Sequence, residues 1–236
     1  MSLNHSIWLP IISVSFLFSA GCVIDRRDSG PAHTENRSVD LDQTEEVRVE
    51  VKVGAGELTI RGGASKLMEG EFRYNRPVMR PNVHYDASGF RGHLLVEEPG
   101  HVHSGNENRW DLRFNDTKPL DLKVEVGAGE GRLDLGELTL RDVEVHMGVG
   151  ELRLDLRGTP KNDYSVNVRG GVGEATIYLP HDVGIVADAA GGIGGISVRG
   201  LEKDGGRYTN SAYGHAKTTI RLDVRGGIGA VNIIAD

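Results

Sequence analysis

The 236-residue sequence contains a single cysteine, Cys22, so no disulfide can form within the chain and its stability has to come from packing. Aromatic residues make up only 6% of it, and most of them lie in its first half. The apolar run from Ile7 to Ala20 is 14 residues long, short of the about 20 that a membrane span requires. No serine or cysteine nucleophile stands in a recognisable catalytic constellation. Positive charge is also short: 27 basic against 34 acidic residues leave a net charge of −7, which argues against nucleic acid as a partner and against electrostatic attraction to anionic lipid or wall polymer.

What the sequence has in quantity is glycine, 33 residues, arranged in a phrase repeated six times. Gly-X-Gly begins at Gly54, Gly127, Gly148, Gly171, Gly192 and Gly227, and the middle steps are 21, 23 and 21 residues. Before each glycine pair, apolar residues alternate with polar ones: Val49-Val51-Val53, Leu122-Val124-Val126, Val143-Val145-Met147 and Val166-Val168-Gly170 share columns, as do Ala187-Ala189-Gly191 and Leu222-Val224-Gly226. A period of two sends these columns to one face and the interleaved charges to water. The alternation resumes after the glycines, as in Leu58-Ile60, Leu152-Leu154-Leu156 and Val231-Ile233. Each copy is therefore strand, glycine corner, strand. About 21 residues are too few for a propeller blade and suffice for one turn of a β-solenoid. The expected fold is all-β: a single-chain β-solenoid of about 21-residue rungs with an irregular β portion before it. Glycine at the corners lets rungs stack closely, so a β-branched residue at Gly148 or Gly171 is expected to destabilise sharply, and Arg153→Ala hardly at all.

Residues 1–21 read as an export signal, and Ser19-Ala20-Gly21-Cys22 resembles the lipobox of bacterial lipoproteins. That resemblance implies cleavage before Cys22, a lipid on its sulfur, and outer-membrane sorting if the cell has two membranes, because Val23 is not the aspartate of a retention signal. Residues 22–45 are polar and mixed in charge, which predicts a lipidated flexible tether. Residues 46–119 read as an N-terminal β cap that includes the first rung, with strands expected at Leu67 to Tyr74, Val83 to Asp86, Phe90 to Glu97 and Trp110 to Phe114. Residues 120–236 hold the remaining rungs. Between the fifth and sixth phrases the step lengthens to 35, and the excess, around Lys203 to Gly214, offers Arg207, Tyr208, Asn210 and Tyr213 as an interaction loop or as a closing flap.

The run from Trp110 to Leu156, WDLRFNDTKPLDLKVEVGAGEGRLDLGELTLRDVEVHMGVGELRLDL, resembles the toast-rack family of bacterial envelope proteins, which is related to the LiaF-like cell-wall-active antibiotic response domain and to adhesin-like β-solenoids. The resemblance covers essentially all of the chain after the tether. It implies a fold and a loose association with envelope stress, and it brings no catalytic residues.

The chemistry-bearing candidates are few. None of the six phrases completes Gly-X-Gly-X-X-Gly or leads into a helix, which excludes a Rossmann nucleotide site. Ala175, Ile196 and Val231 stand where a calcium-binding nonapeptide would need aspartate. Glu57, Glu130, Glu151 and Glu174 follow four of the glycine pairs and should stack as a carboxylate ladder, neutralised by arginines such as Arg132 and Arg153 or by a cation. His84, His93, His101 and His103 cluster too loosely to specify a metal site. Asp134 and Asp155 occupy equivalent positions on neighbouring rungs and are the candidates for a solenoid enzyme acting on polysaccharide. Both sit in an Arg-Leu-Asp-Leu context, which argues for surface decoration and against an acid and base of different pKa. The expectation is a non-catalytic, lipid-anchored module with no cofactor, binding an envelope protein or polysaccharide or associating with itself through the solenoid ends.

Overall fold

The computed structural model describes residues 31–100 and 107–236, so the export signal, the lipidation candidate Cys22 and the pair His101 and His103 lie outside the described residues. The chain runs through β1 (His33–Val39), β2 (Glu46–Arg61), β3 (Met68–Tyr74), a 3-10 turn at Pro77–Met79, β4 (Asn82–Ser88), β5 (Arg91–Glu97) and β6 (Asn108–Phe114). It continues through β7 (Leu120–Asp134), β8 (Leu140–Asp155), β9 (Tyr164–Leu179), β10 (Gly184–Ile193), β11 (Ile196–Arg199), β12 (Glu202–Asp204), β13 (Arg207–Thr209) and β14 (Thr219–Ala235). The architecture is the expected β-solenoid. Five of the glycine phrases lie inside single strands of 15 to 17 residues that carry on through the corner.

The two glycines of each phrase answer different demands. The second is in the left-handed region, φ 131° at Gly129, 135° at Gly150 and 139° at Gly173, where an L side chain is strained. The first is hemmed in by the rung below: a Cβ on Gly148 would lie 2.2 Å from the carbonyl oxygen of Gly127, and one on Gly171 2.2 Å from that of Gly148. Neighbouring rungs thus meet backbone to backbone at the corner, and any side chain there forces them apart.

These contacts also trace the order of the rungs. Gly227 packs on Gly171, and Gly192 packs on Gly227. The strand order is accordingly β2-β7-β8-β9-β14-β10, with β11 completing the rung of β10 against the second half of β14. The sixth phrase, although last in the chain, therefore does not form the terminal rung. The last strand in the chain is inserted between the fourth and fifth phrases and is paired along both edges. The 35-residue step makes this geometry accessible, because the excess chain lets β14 return to a slot one layer back.

Inside the solenoid the apolar columns pile up as the alternation dictates: Val49, Leu122, Val143, Val166 and Leu222 are buried, and so are Ile60, Leu133, Leu154, Ile177 and Ile233. Each contributes on the order of 1.5–3 kcal/mol of burial. The cap carries the aromatics. Phe72 and Trp110 meet edge to face with ring centres 5.2 Å apart, above buried Phe114, Met68 and Leu112.

The expected tether requires a correction. Residues from His33 to Val39 form β1, paired antiparallel with β3 along its whole length. Its burial pattern has no buried position, so the pairing rests on backbone hydrogen bonds and on surface clamps such as Arg80 to Glu35, which no apolar pattern could announce. The four cap strands expected from sequence match β3 to β6.

Candidate functional site

At the head of the solenoid the first rung is closed. Strand β5 pairs with the first half of β2 and β6 with the second, which leaves a gap at the corner. Two side chains fill it. Glu98 accepts a hydrogen bond from the Gly54 N–H through Oε2 at 2.8 Å, and Asn108 donates through Nδ2 to the Ala55 carbonyl at 2.8 Å while accepting from the Trp110 indole N–H at 2.8 Å. Burial pushes the Glu98 carboxyl up, against the lowering effect of the Gly54 and Ala55 amides, and its second oxygen is buried without a partner among the described residues.

The glutamate column exists as a register. Glu57, Glu130, Glu151 and Glu174 are successive Cα partners, and Ala230 of β14 ends the series. With strands about 4.8 Å apart, neighbouring carboxylates in water repel by about 1 kcal/mol. Two of the four are neutralised locally, Glu57 by Arg109 at 2.8 Å and Glu130 by Arg132 at 2.7 Å, while Glu174 accepts a hydrogen bond from the uncharged Asn232 amide at 2.8 Å and Glu151 makes no ion pair among the described residues. Arg153 does not join them. Its guanidinium lies over the Tyr178 ring, as does that of Arg157, at 4.6 and 4.7 Å from the ring centre. Among the described residues no three acidic, histidine or cysteine side chains converge as metal ligands. His93 is instead within 3.2 Å of Glu50.

Asp134 and Asp155 are register partners on β7 and β8. Arg157 grips Asp155 with bonds of 2.9 and 2.6 Å, which holds the carboxyl below the usual range. A glycosidase acid needs the opposite shift.

The four residues of the late loop separate into two roles. The loop is a flap: β12 and β13 form a hairpin, and β13 pairs antiparallel with β10 at Val186 and Ala187. Asn210 staples it down, accepting from the Ile185 N–H at 2.9 Å and donating to the Val183 and His181 carbonyls at 2.7 and 3.1 Å. Tyr208 packs its ring against the core, whereas Arg207 and Tyr213 are exposed.

The most conspicuous surface feature is one that the sequence reading passed over. The middle residues of the glycine phrases point outward at the corner, and in spatial order they are Ala55, Ala128, Val149, Val172, Ile228 and Ile193. Flanked by glycines within each strand, they neighbour one another along the stack. Val149, Val172, Ile228 and Ile193 are 53%, 47%, 52% and 72% exposed, a continuous aliphatic ridge that grows bulkier toward the tail. The signal was available in the sequence, since a surface corner does not call for β-branched aliphatics at X.

These features define a repeat protein whose first rung is closed by the cap and whose corners carry an apolar ridge. The family model for the N-terminal domain of toast_rack matches residues 28–178, more than half of the chain, and the chain belongs to that family. A second model, Cell wall-active antibiotics response LiaF, C-terminal, matches residues 128–233. Among solved structures, a putative cell adhesion protein from Clostridium sporogenes is 34% identical, with a TM-score of 0.84 over 87% of this chain and all of that one. A putative adhesin from Bacteroides fragilis is 10% identical, covering 86% of this chain and 97% of that one with a TM-score of 0.37. No curated protein matches the chain. Among the described residues no helix is long and apolar enough to cross a membrane.

Proposed function

We propose that the chain is a non-catalytic interaction module of the bacterial cell envelope, anchored by lipid on Cys22, whose aliphatic ridge binds another envelope protein. The ridge from Val149 to Ile193 carries this reading, because aliphatic side chains held in a row and surrounded by water gain stability only when an apolar partner covers them. A polysaccharide would instead call for hydrogen-bonding groups and aromatic platforms, and the ridge has neither. The adhesion and antibiotic-response names of its relatives agree with a contact role at the envelope.

The experiment is crosslinking in cells, with partners identified by mass spectrometry. The comparison is between the parent, Cys22→Ala, and a ridge variant carrying Val172→Asp and Ile228→Asp. A single envelope protein recovered with the parent and lost with the ridge variant supports the reading. Loss with Cys22→Ala as well supports the anchor. Recovery unchanged by the ridge variant, or recovery of wall glycan alone, overturns the ridge as the binding surface.

A further inference from the structure

The insertion of β14 makes the fifth phrase the tail of the solenoid, and the flap protects only the start of it. Strand β13 covers Val186 and Ala187; from Asp188 to Arg199 the outer edge of β10 and β11 has no strand partner among the described residues. Exposed edges are normally blunted by charge, proline or a bulge. This one reads Asp-Ala-Ala-Gly-Gly-Ile-Gly-Gly-Ile-Ser-Val-Arg, without a proline and without a charge between its two ends, and Ile193 at its centre is 72% exposed.

We propose that this edge pairs with the same edge of a second copy, giving a tail-to-tail dimer. Three observations fix the partner and the register. The first rung cannot serve as the mate, because β5, β6, Glu98 and Asn108 already occupy its edge, and the edges left free at the head, those of β1 and β4, carry Glu35, Arg37 and Asp86, charges of the kind that blunt such an edge. Association of identical tails is isologous and stops at two. The faces then select the register. Inward positions are odd before the corner (Ala187, Ala189, Gly191) and even after it (Ile196, Val198), so an antiparallel pairing that keeps inward residues opposite inward residues must join an odd residue to an even one.

Centred on the corner, that pairing runs about a two-fold axis between Ile193 and Gly194. It sets Gly191 opposite Ile196, Ala189 opposite Val198, and Asp188 opposite Arg199 of the second copy. The only two charges of the edge thus meet with opposite sign, twice per dimer. Arg199 is exposed and has no ion-pair partner among the described residues, while Asp188 is shared with Arg225 at 3.1 Å. The pairing also joins the two ridges end to end through Ile193. It does not depend on the ridge binding another protein.

The test is sedimentation of the purified full chain over a concentration series, alongside Arg199→Asp and the charge swap Asp188→Arg with Arg199→Asp. The parent is expected to reach the mass of two chains and no more. Arg199→Asp should weaken the dimer by about tenfold, since two symmetry-related pairs are reversed at once, and the swap should recover part of that loss, the remainder reflecting repulsion from Arg225, which keeps Asp223 as its partner. Arg199 makes no described ion pair, so its replacement leaves the fold intact, which an unchanged melting temperature will verify. A parent that stays at one chain at every concentration, grows past two, or forms a dimer indifferent to Arg199→Asp overturns the proposal. Ridge variants leave this measurement unchanged if only the envelope-protein reading fails.

Discussion

The two ends of this solenoid are built from opposite materials. At the head, an irregular sheet packs Trp110, Phe72 and Phe114 in its core, and polar side chains satisfy the last exposed backbone groups of the corner. At the tail, glycine and alanine replace the large inward residues, a short hairpin covers two residues of the terminal strand, and the rest of its edge is bare. A repeat cannot bury its own face, so each end is decided by what the chain adds there. This chain places its aromatics at one end and its last strand inside the other.

That comparison can be broken at the middle rungs first. Gly150 adopts φ 135°, and a Cβ there would lie 1.9 Å from the Gly129 carbonyl oxygen, so Gly150→Val should cost on the order of 4 kcal/mol and lower the melting temperature by about 10 °C. At the head, Trp110→Ala opens a cavity where the indole is fully buried and should cost about 3–5 kcal/mol by chemical denaturation. If the tail unfolds in a separate, unshifted transition in that variant, the two ends are energetically independent.

The corner cap gives a pH signature of known sign. Burial raises the Glu98 pKa above its ordinary 4.5, so the folded state binds this proton more readily than the unfolded one, and the contribution of Glu98 declines as pH rises through the raised value. Glu98→Gln keeps an oxygen for the Gly54 amide and should flatten that decline in melting temperature between pH 4.5 and 8. Glu35 runs the other way. Arg80 holds it down to about 2 with help from Tyr74 and Arg37, so its contribution is complete above pH 4.5 and is lost as pH falls toward 2; Arg80→Ala should shallow the acid limb. The smallest effect is expected at Gly170, which stands where the two preceding rungs place Val126 and Met147. Its Cβ would meet nothing within 4 Å, so Gly170→Ala should be neutral or stabilise by about 0.5–1 kcal/mol, in contrast to the corner glycines a few residues away.

Much of this was legible because a two-residue period and a glycine pair leave direct marks. The inward columns, the corners, the glutamate register from Glu57 to Glu174 and the cap strands follow from them. Three features did not. Strand β1 has no fully buried residue and only Val39 at its end packs against the core, so its sequence looks like a tether. The fifth and sixth phrases fill the same columns, so composition cannot order them; their order depends on where the long flap allows β14 to dock. Sequence could not decide whether Asn210 and Tyr208 belong to an interaction loop or to a closing flap, because a polar loop looks alike whether it binds a partner or its own solenoid.

The central claim is the inserted strand, since the open tail and the order of the ridge both follow from it. The direct measurement is disulfide formation between cysteine pairs in the Cys22→Ala background. Glu174 and Ala230 are register neighbours across β9 and β14, whereas stacking in chain order would put Glu174 beside Gly195. Rapid crosslinking of Glu174→Cys with Ala230→Cys, and none of Glu174→Cys with Gly195→Cys, is the predicted result. The reverse pattern would contradict the inserted strand, and the open tail edge and the dimer proposed on it would fall together.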